Sequence, residues 1–233
     1  MKLPPLIEGR LVQRYKRFLA DIEFSDGTVE TAHCPNPGSM MGLKEPGSRV
    51  YVSKSNNPKR KLAYTLELLE ADGTLVGINT NHPNTLVAEA IEAGVIQELS
   101  GYGHLKREVK YGKSSRIDIL LTKDNAPDCY VEVKNVHLRR HSDLAEFPDS
   151  VTERGAKHLR ELSDMVADGH RSVLIFPVQR ADCERFSLAE DIDPAYAAAF
   201  RSARESGVEF YCYECEVSID EIRLKRALPI DVA

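Results

Sequence analysis

Arg116-Ile-Asp-Ile-Leu-Leu121 and Tyr130-Val-Glu-Val-Lys134 are short apolar segments bounded by polar turn residues, a pattern that reads as two β-strands. Thr122-Lys-Asp-Asn-Ala-Pro-Asp128 between them has the composition of a turn. A symmetric hairpin centred on Asn125 sets Asp118 directly opposite Glu132, with Cβ atoms about 4.5–5.5 Å apart. Carboxylates that close repel each other unless a cation intervenes. Lys134, two residues beyond Glu132, projects from the same face of its strand. An Asp, a Glu and a Lys on one sheet surface can hold a divalent cation between the carboxylates, with the ammonium beside a metal-bound water. Metal-assisted phosphodiester hydrolysis needs that arrangement. The alternative is a solvated cross-strand ion pair. The opposed register and the apolar neighbours favour the site.

The chain has 233 residues, 42% hydrophobic and 29% charged, enough to bury a full core without disulfides. It has no run of 18 or more apolar residues, so no transmembrane helix is expected, and the N-terminus lacks a signal-peptide core. Five scattered cysteines suit a reducing compartment, and a cytoplasmic location is expected. The net charge of −5 is unevenly spread: residues 1–64 carry eleven Lys/Arg and six Asp/Glu, and the rest twenty and thirty. A nucleic-acid footprint should therefore lie mainly in the first part.

The spacing predicts strands at Leu6–Val12, Arg17–Phe24, Thr28–His33, Arg49–Ser53, Ala63–Glu70 and Thr74–Ile78, with Ser25-Asp-Gly27 and Asp72-Gly73 as turns. So many short strands suggest an OB-like β-barrel over residues 1–80. Beyond a linker at 79–84, residues 81–233 read as an α/β unit. Its helix spans Thr85–Leu99, capped by Asn84 or Thr85, and strands follow at Leu105–Tyr111, Arg116–Leu121 and Cys129–Lys134. After a polar loop (135–150), a capping box at Ser150 opens a helix to Ala167. A buried strand at Val173–Val178, a helix at Pro194–Ser206 and strands at Val208–Glu214 and Glu221–Lys225 complete it. The fold class is α+β with two domains, the second a mixed sheet flanked by helices. Val208–Tyr213 is expected at a sheet edge, where it would offer a second copy a pairing surface for a homodimer.

This order, with Asp then Glu-x-Lys, resembles the PD-(D/E)xK nuclease superfamily. His33-Cys-Pro-Asn-Pro-Gly-Ser-Met40, Ser115-Arg-Ile-Asp118, Val131-Glu-Val-Lys-Asn135 and Phe147-Pro-Asp-Ser-Val-Thr-Glu-Arg-Gly155, continued by Lys157-His158-Leu159, resemble the sugar fermentation stimulation protein A family over nearly the whole chain. That resemblance implies an OB-like domain, a nuclease-like domain, DNA binding without strong sequence preference, and an association with sugar metabolism. It implies Asp118 and Glu132 as metal ligands and Lys134 as the residue that orients the attacking water. Glu89 or Glu92 would add a carboxylate, and Glu89 is preferred for its place beside the apolar stripe. Oxygen ligands with open positions suit Mg²⁺ or Mn²⁺, and Lys134 beside two carboxylates acts as a cation that stabilises developing charge.

Further candidates are basic. Arg154 and Lys157, with His158, lie on the helix after the site and are expected to meet phosphate. Arg14, Lys16 and Arg17, with the loop carrying Lys54, Lys59, Arg60 and Lys61, would form a phosphate-tracking patch. Tyr15, Phe18, Tyr51 and Tyr64 are read as core rather than as stacking platforms. The loop His33–Met40 is expected to meet phosphate or the second domain. Cys212-Tyr-Glu-Cys215 sits in a strand and reads as structural. The leading expectation is a DNA-binding, metal-dependent nuclease-like protein. The alternative is a non-specific DNA-binding regulator of sugar metabolism that needs no catalysis. No helix-turn-helix or nucleotide fingerprint is present.

Overall fold

Alternating apolar residues and tight Asp-Gly turns fold residues 6–77 of the computed structural model into a barrel. The structure is described for residues 1–112 and 115–232, and counts and absences below refer to those residues. The strands are β1 (Leu6–Tyr15), β2 (Leu19–Glu23), β3 (Val29–His33), β4 (Arg49–Lys54), β5 (Tyr64–Ala71) and β6 (Thr74–Gly77). They run in the order β3-β2-β1-β4-β5-β6, and β3 also pairs in parallel with β5, which closes the sheet in the OB manner. Leu11, Ile22, Val50, Val52, Leu66 and Leu69 fill the interior.

The second sheet has the order β15-β14-β12-β9-β8-β7. Its strands are β7 (His104–Tyr111), β8 (Ser115–Thr122), β9 (Cys129–Val133), β12 (Arg171–Val178), β14 (Glu209–Val217) and β15 (Ile222–Leu228). β9, β12 and β14 are parallel, and the outer pairings are antiparallel. Helix α1 (Pro83–Glu92) covers one face, where Leu86 and Val87 pack on Ile119, Val131 and Val173. Helices α2 (Glu153–Ala167) and α3 (Pro194–Glu205) cover the other, through Leu159, Leu162, Tyr196 and Phe200 on Leu174 and Phe176. The expected architecture stands: an OB barrel followed by a mixed sheet with helices on both faces. No helix among the described residues is long and apolar enough to cross a membrane.

Five local expectations are corrected. The first helix stops at Glu92, because Gly94 turns left-handed at φ +70°, and only a 3-10 turn, Gln97–Leu99, follows. Pro83 opens that helix with no side-chain cap, so Asn84 is free to act elsewhere. The segment 135–150 is not a loop. It contains β10 (Leu138–His141) and β11 (Asp143–Phe147), which form a small sheet with β13 (Cys183–Leu188) in the order β10-β11-β13. Charged residues hide these strands in the sequence, because Arg140 pairs across them with Glu146 at 2.6 Å. The cap of α2 is Thr152 rather than Ser150, its hydroxyl accepting from the Gly155 N–H at 3.0 Å. Finally, β14 lies between β12 and β15, so Val208–Tyr213 is interior and offers no edge to a second copy.

The two sheets are seamed together. Gly77 N–H donates to the Gln179 carbonyl at 2.8 Å. Asp72, on the β5–β6 turn, accepts from Arg139 at 3.0 Å and from Arg180 at 3.1 Å. Arg180 is only 1% exposed and also binds Asp182 and the His137 carbonyl. At Gly77 a methyl group would collide with the fully buried Gln179 side chain. Overpacking of this kind costs about 1–3 kcal/mol. Gly77→Ala is therefore expected to lower Tm by about 3–10 °C at this chain length. A variant that melts with the parent would show that the seam is loose.

Candidate active site

The β8–β9 ladder pairs Ile119 with Val131, Leu120 with Tyr130 and Leu121 with Cys129. Continued one step, it sets Asp118 across from Glu132, as the symmetric turn requires. The ladder does not simply run on, however. Ile117 packs in the α2-side core and Ile119 in the α1-side core, so β8 twists between them. Asp118 then stands where the strands part: its Oδ2 accepts the Val133 N–H at 2.8 Å and its Oδ1 the Asn84 amide at 2.7 Å. The carboxyl is thus tied to the first turn of α1 and to the end of β9.

Glu132 faces α2 and is 2% exposed. Its Oε1 accepts from Lys134 Nζ at 2.6 Å and touches His158 Nδ1. Arg154 Nε donates to His158 Nε2 at 3.3 Å. Arginine can only donate, so that nitrogen is the acceptor, and the network assigns the ring proton to Nδ1, pointing at Glu132. The other oxygen, Glu132 Oε2, is buried and has no hydrogen-bond partner. Burial works against the Glu132 charge, but the Lys134 ammonium and the His158 hydrogen bond outweigh it and hold the carboxyl below its usual range. Asp118 goes the opposite way. Burial, then the Glu132 charge, push it up to about 6. Two neighbouring carboxylates driven apart in this way are typical of reactive sites.

Among the described residues, no three His, Cys, Asp or Glu side chains converge as a metal-binding group. The two carboxylates still fit a hard divalent ion. Glu132 Oε2 is an acceptor without a partner, the donors are oxygens, and Mg²⁺ is commonly held by one or two carboxylates while it keeps water.

The preferred further carboxylate, Glu89, is not there. It lies on the β15 side of α1 and pairs with the Met1 ammonium at 2.7 Å. Glu92 is exposed. The acidic side chain nearer the site is Glu161 on α2, buried, with Oε1 at 3.3 Å from Lys157 and Oε2 unpartnered. Burial and then the charges of Glu132, Glu161 and Asp118 all raise the Tyr111 phenol. Sequence reasoning missed Asn84, Tyr111 and Glu161 as members of this neighbourhood, and took His158 only as a companion of Arg154. The signal for Glu161 was available: it follows His158 by three and Lys157 by four, on the same helical face.

The basic candidates divide. Arg154 is exposed on the first turn of α2 and Lys157 is bound to Ser115 at 3.2 Å. Leu19, His33 and Thr65 are in register, as are Lys54 and Tyr64, so the β1–β2 turn and the β4–β5 loop share one end of the barrel. Lys16, Arg17, Lys54, Lys59, Arg60 and Lys61 gather there and are exposed. Arg14 does not join them. Its guanidinium is turned onto the carbonyls of Arg17, Asn36 and Gly38 at 2.8–3.0 Å. The His33–Met40 loop reaches the second domain: Ser39 Oγ donates to the Asp149 carbonyl at 2.7 Å and Met40 N–H to the Asp149 carboxylate at 3.0 Å. A cleft of about 340 Å³ opens beside this contact, lined by Arg17, Asn36, Thr80, Asn135 and Ser150–Thr152. Cys212 and Cys215 are buried in opposite cores and cannot share a ligand.

Asp118 gives a pH test. Its carboxyl titrates near 6 in the folded chain against an ordinary 3.8, so the folded state holds the proton more tightly. The resulting stability is complete below the unfolded pKa and is lost as pH rises through about 6, a change of about 3 kcal/mol. In EDTA, urea melts from pH 4 to pH 7 are expected to show the parent losing about 2 kcal/mol more than Asp118→Asn, because pH 4 already lies above the unfolded pKa. Parallel curves would show that Asp118 is unperturbed.

The model of the SfsA N-terminal OB domain matches residues 12–78, and that of the sugar fermentation stimulation protein RE domain matches residues 81–221. A sugar fermentation stimulation protein homolog of Rhodospirillum centenum is 60% identical over 229 residues, covering 98% of each chain. One of Maricaulis maris is 56% identical over 234 residues, covering 100% of each. The structure of Pyrococcus furiosus SfsA in complex with Ca²⁺ is similar at a TM-score of 0.89 and 27% identity, covering 100% of this chain and 98% of that one. The chain belongs to the sugar fermentation stimulation protein family.

Proposed function

We propose that this protein binds nucleic acid, DNA first among the candidates, through the barrel of residues 1–80, and hydrolyses phosphodiester bonds at Asp118, Glu132 and Lys134 in residues 81–233. The observation that carries this reading is the pair of neighbouring carboxylates on β8 and β9, Glu132 buried and Asp118 half-buried, one raised and one depressed in pKa, with an unpartnered oxygen and an ammonium beside them. Mg²⁺ or Mn²⁺ held by Asp118 and Glu132 would supply an activated water and neutralise phosphate charge. That a similar protein, from Pyrococcus furiosus, was solved with Ca²⁺ supports a divalent-cation site here. Asn84 and the Val133 N–H fix the Asp118 carboxylate. His158, held in turn by Arg154, fixes Glu132. Lys134 orients the attacking water and stabilises the charge that develops on the phosphate. Arg154 and Lys157, on the first turns of α2, bind flanking phosphate together with the helix dipole.

The experiment is cleavage of labelled DNA and RNA with Mg²⁺, Mn²⁺ or EDTA. Cleavage should need metal and vanish in Glu132→Ala, and Lys134→Ala should lower kcat by about 10²–10³, as for loss of one preorganised charge-stabilising group. Metal-dependent cleavage that survives Glu132→Ala would exclude this site. A second reading, a DNA-binding regulator without catalysis, is favoured by one observation: Lys134 already neutralises Glu132, and only two carboxylates are in place. It requires salt-sensitive binding that is unchanged by Glu132→Ala and by EDTA, with no cleavage in any metal.

A further inference from the structure

Phe18 stands apart from the other aromatic residues of the barrel. It is 43% exposed, although a lone Phe in a small barrel is expected in the core. It lies on the β1–β2 turn directly after Lys16 and Arg17, two non-glycine residues at φ +46° and +64°. Left-handed backbone at such residues is costly and persists where the surroundings enforce it. Here Phe18 N–H donates to the Lys16 carbonyl at 2.7 Å, Cys34 N–H to the Phe18 carbonyl at 2.8 Å, and Arg14 to the Arg17 carbonyl at 2.8 Å. The turn therefore presents an apolar ring rigidly to solvent between cations. The His33 ring is 6.4 Å away and tilted by 33°, so the two rings do not cover each other. Arg60 stands near His33: after burial, its charge is the next influence lowering the His33 pKa.

The residue before this ring reaches the interdomain cleft, whose lining includes the neighbour of Lys134 in the chain. Arg17 lines the cleft between barrel and second sheet, opposite Asn135 and Ser150–Thr152. Asn135 follows Lys134 in the chain, and Thr152 caps the helix that carries Arg154 and His158. The cleft holds about 340 Å³. That is the size of a small-ligand pocket, about 300–1,000 Å³.

We propose that Phe18, with His33 beside it, is a stacking platform for an unpaired base, and that the site takes single-stranded nucleic acid fed through the Arg17 cleft. This rests on the phosphodiesterase reading above. A base offers its π-face to a side chain only when it is out of a helical stack, and proteins that bind single strands combine a basic track with such aromatics. The basic track is Lys16, Arg17, Arg60 and Lys61.

The chain contains no tryptophan, so Phe18→Trp introduces a unique reporter at an exposed position. The variant is titrated in EDTA with a single-stranded oligothymidine and with a blunt duplex of equal length, while anisotropy of the labelled DNA reports binding. The single strand should quench the tryptophan to saturation and the duplex should not. In anisotropy, Phe18→Ala should weaken single-strand binding about tenfold. Bound single strand with unquenched tryptophan would overturn the platform and leave the phosphodiesterase reading standing, as would equal quenching by the duplex. Absence of binding to either form would overturn both.

Discussion

The second domain depends on how it tolerates one charge, the carboxylate of Glu132, held at 2% exposure inside a sheet of valines, leucines and isoleucines. An isolated ion there would cost several kcal/mol, and such a charge persists only when paired and hydrogen-bonded. The pairing determines much of what surrounds it. Lys134 must lie two residues on, on the same face. His158 must arrive from α2 with its proton on Nδ1, and Arg154 must hold the far side of that ring. α2 is accordingly placed by polar contacts to the site as well as by Leu159 and Leu162. One oxygen of Glu132 remains unmatched. A buried acceptor left open in an otherwise satisfied network marks where stability yields to function.

Asp118 solves the opposite problem. It has no cation in hydrogen-bond contact, only a backbone N–H and an amide, and its neighbour is negative. Raising its pKa relieves the repulsion in the absence of a cation, and a bound cation would remove the need for that. The asymmetry between the carboxylates follows from topology: Glu132, on a central strand, meets α2 with its cations, whereas Asp118, where β8 twists, meets the neutral first turn of α1.

Much of this was legible in the sequence. Period-2 alternation and Asp-Gly turns gave the barrel strands to within a few residues, because a half-buried strand can hardly hide its pattern. The β8–β9 register, Ile119 opposite Val131, followed from a symmetric turn. What stayed hidden was set by tertiary contact. Helical spacing identified a face of α1 but not which sheet edge that face meets, so Glu89 was placed at the site when it belongs with Met1. β10 and β11 read as loop because Arg140 is satisfied across space by Glu146 and Asp191, which no local window shows. Phe18 looked like core because an apolar residue in a turn carries no label for exposure.

Arg180 gives the seam between the domains a mechanical meaning. Its guanidinium is dry and is held at once by Asp182 of its own domain, by the His137 carbonyl and by Asp72 of the barrel. Swinging the barrel away would strip this cation of its Asp72 contact and break the Gly77–Gln179 hydrogen bond as well. The aperture beside Arg17 therefore behaves as a gauge of fixed bore rather than a jaw. Any ligand of this cleft has to fit the gap as the seam sets it.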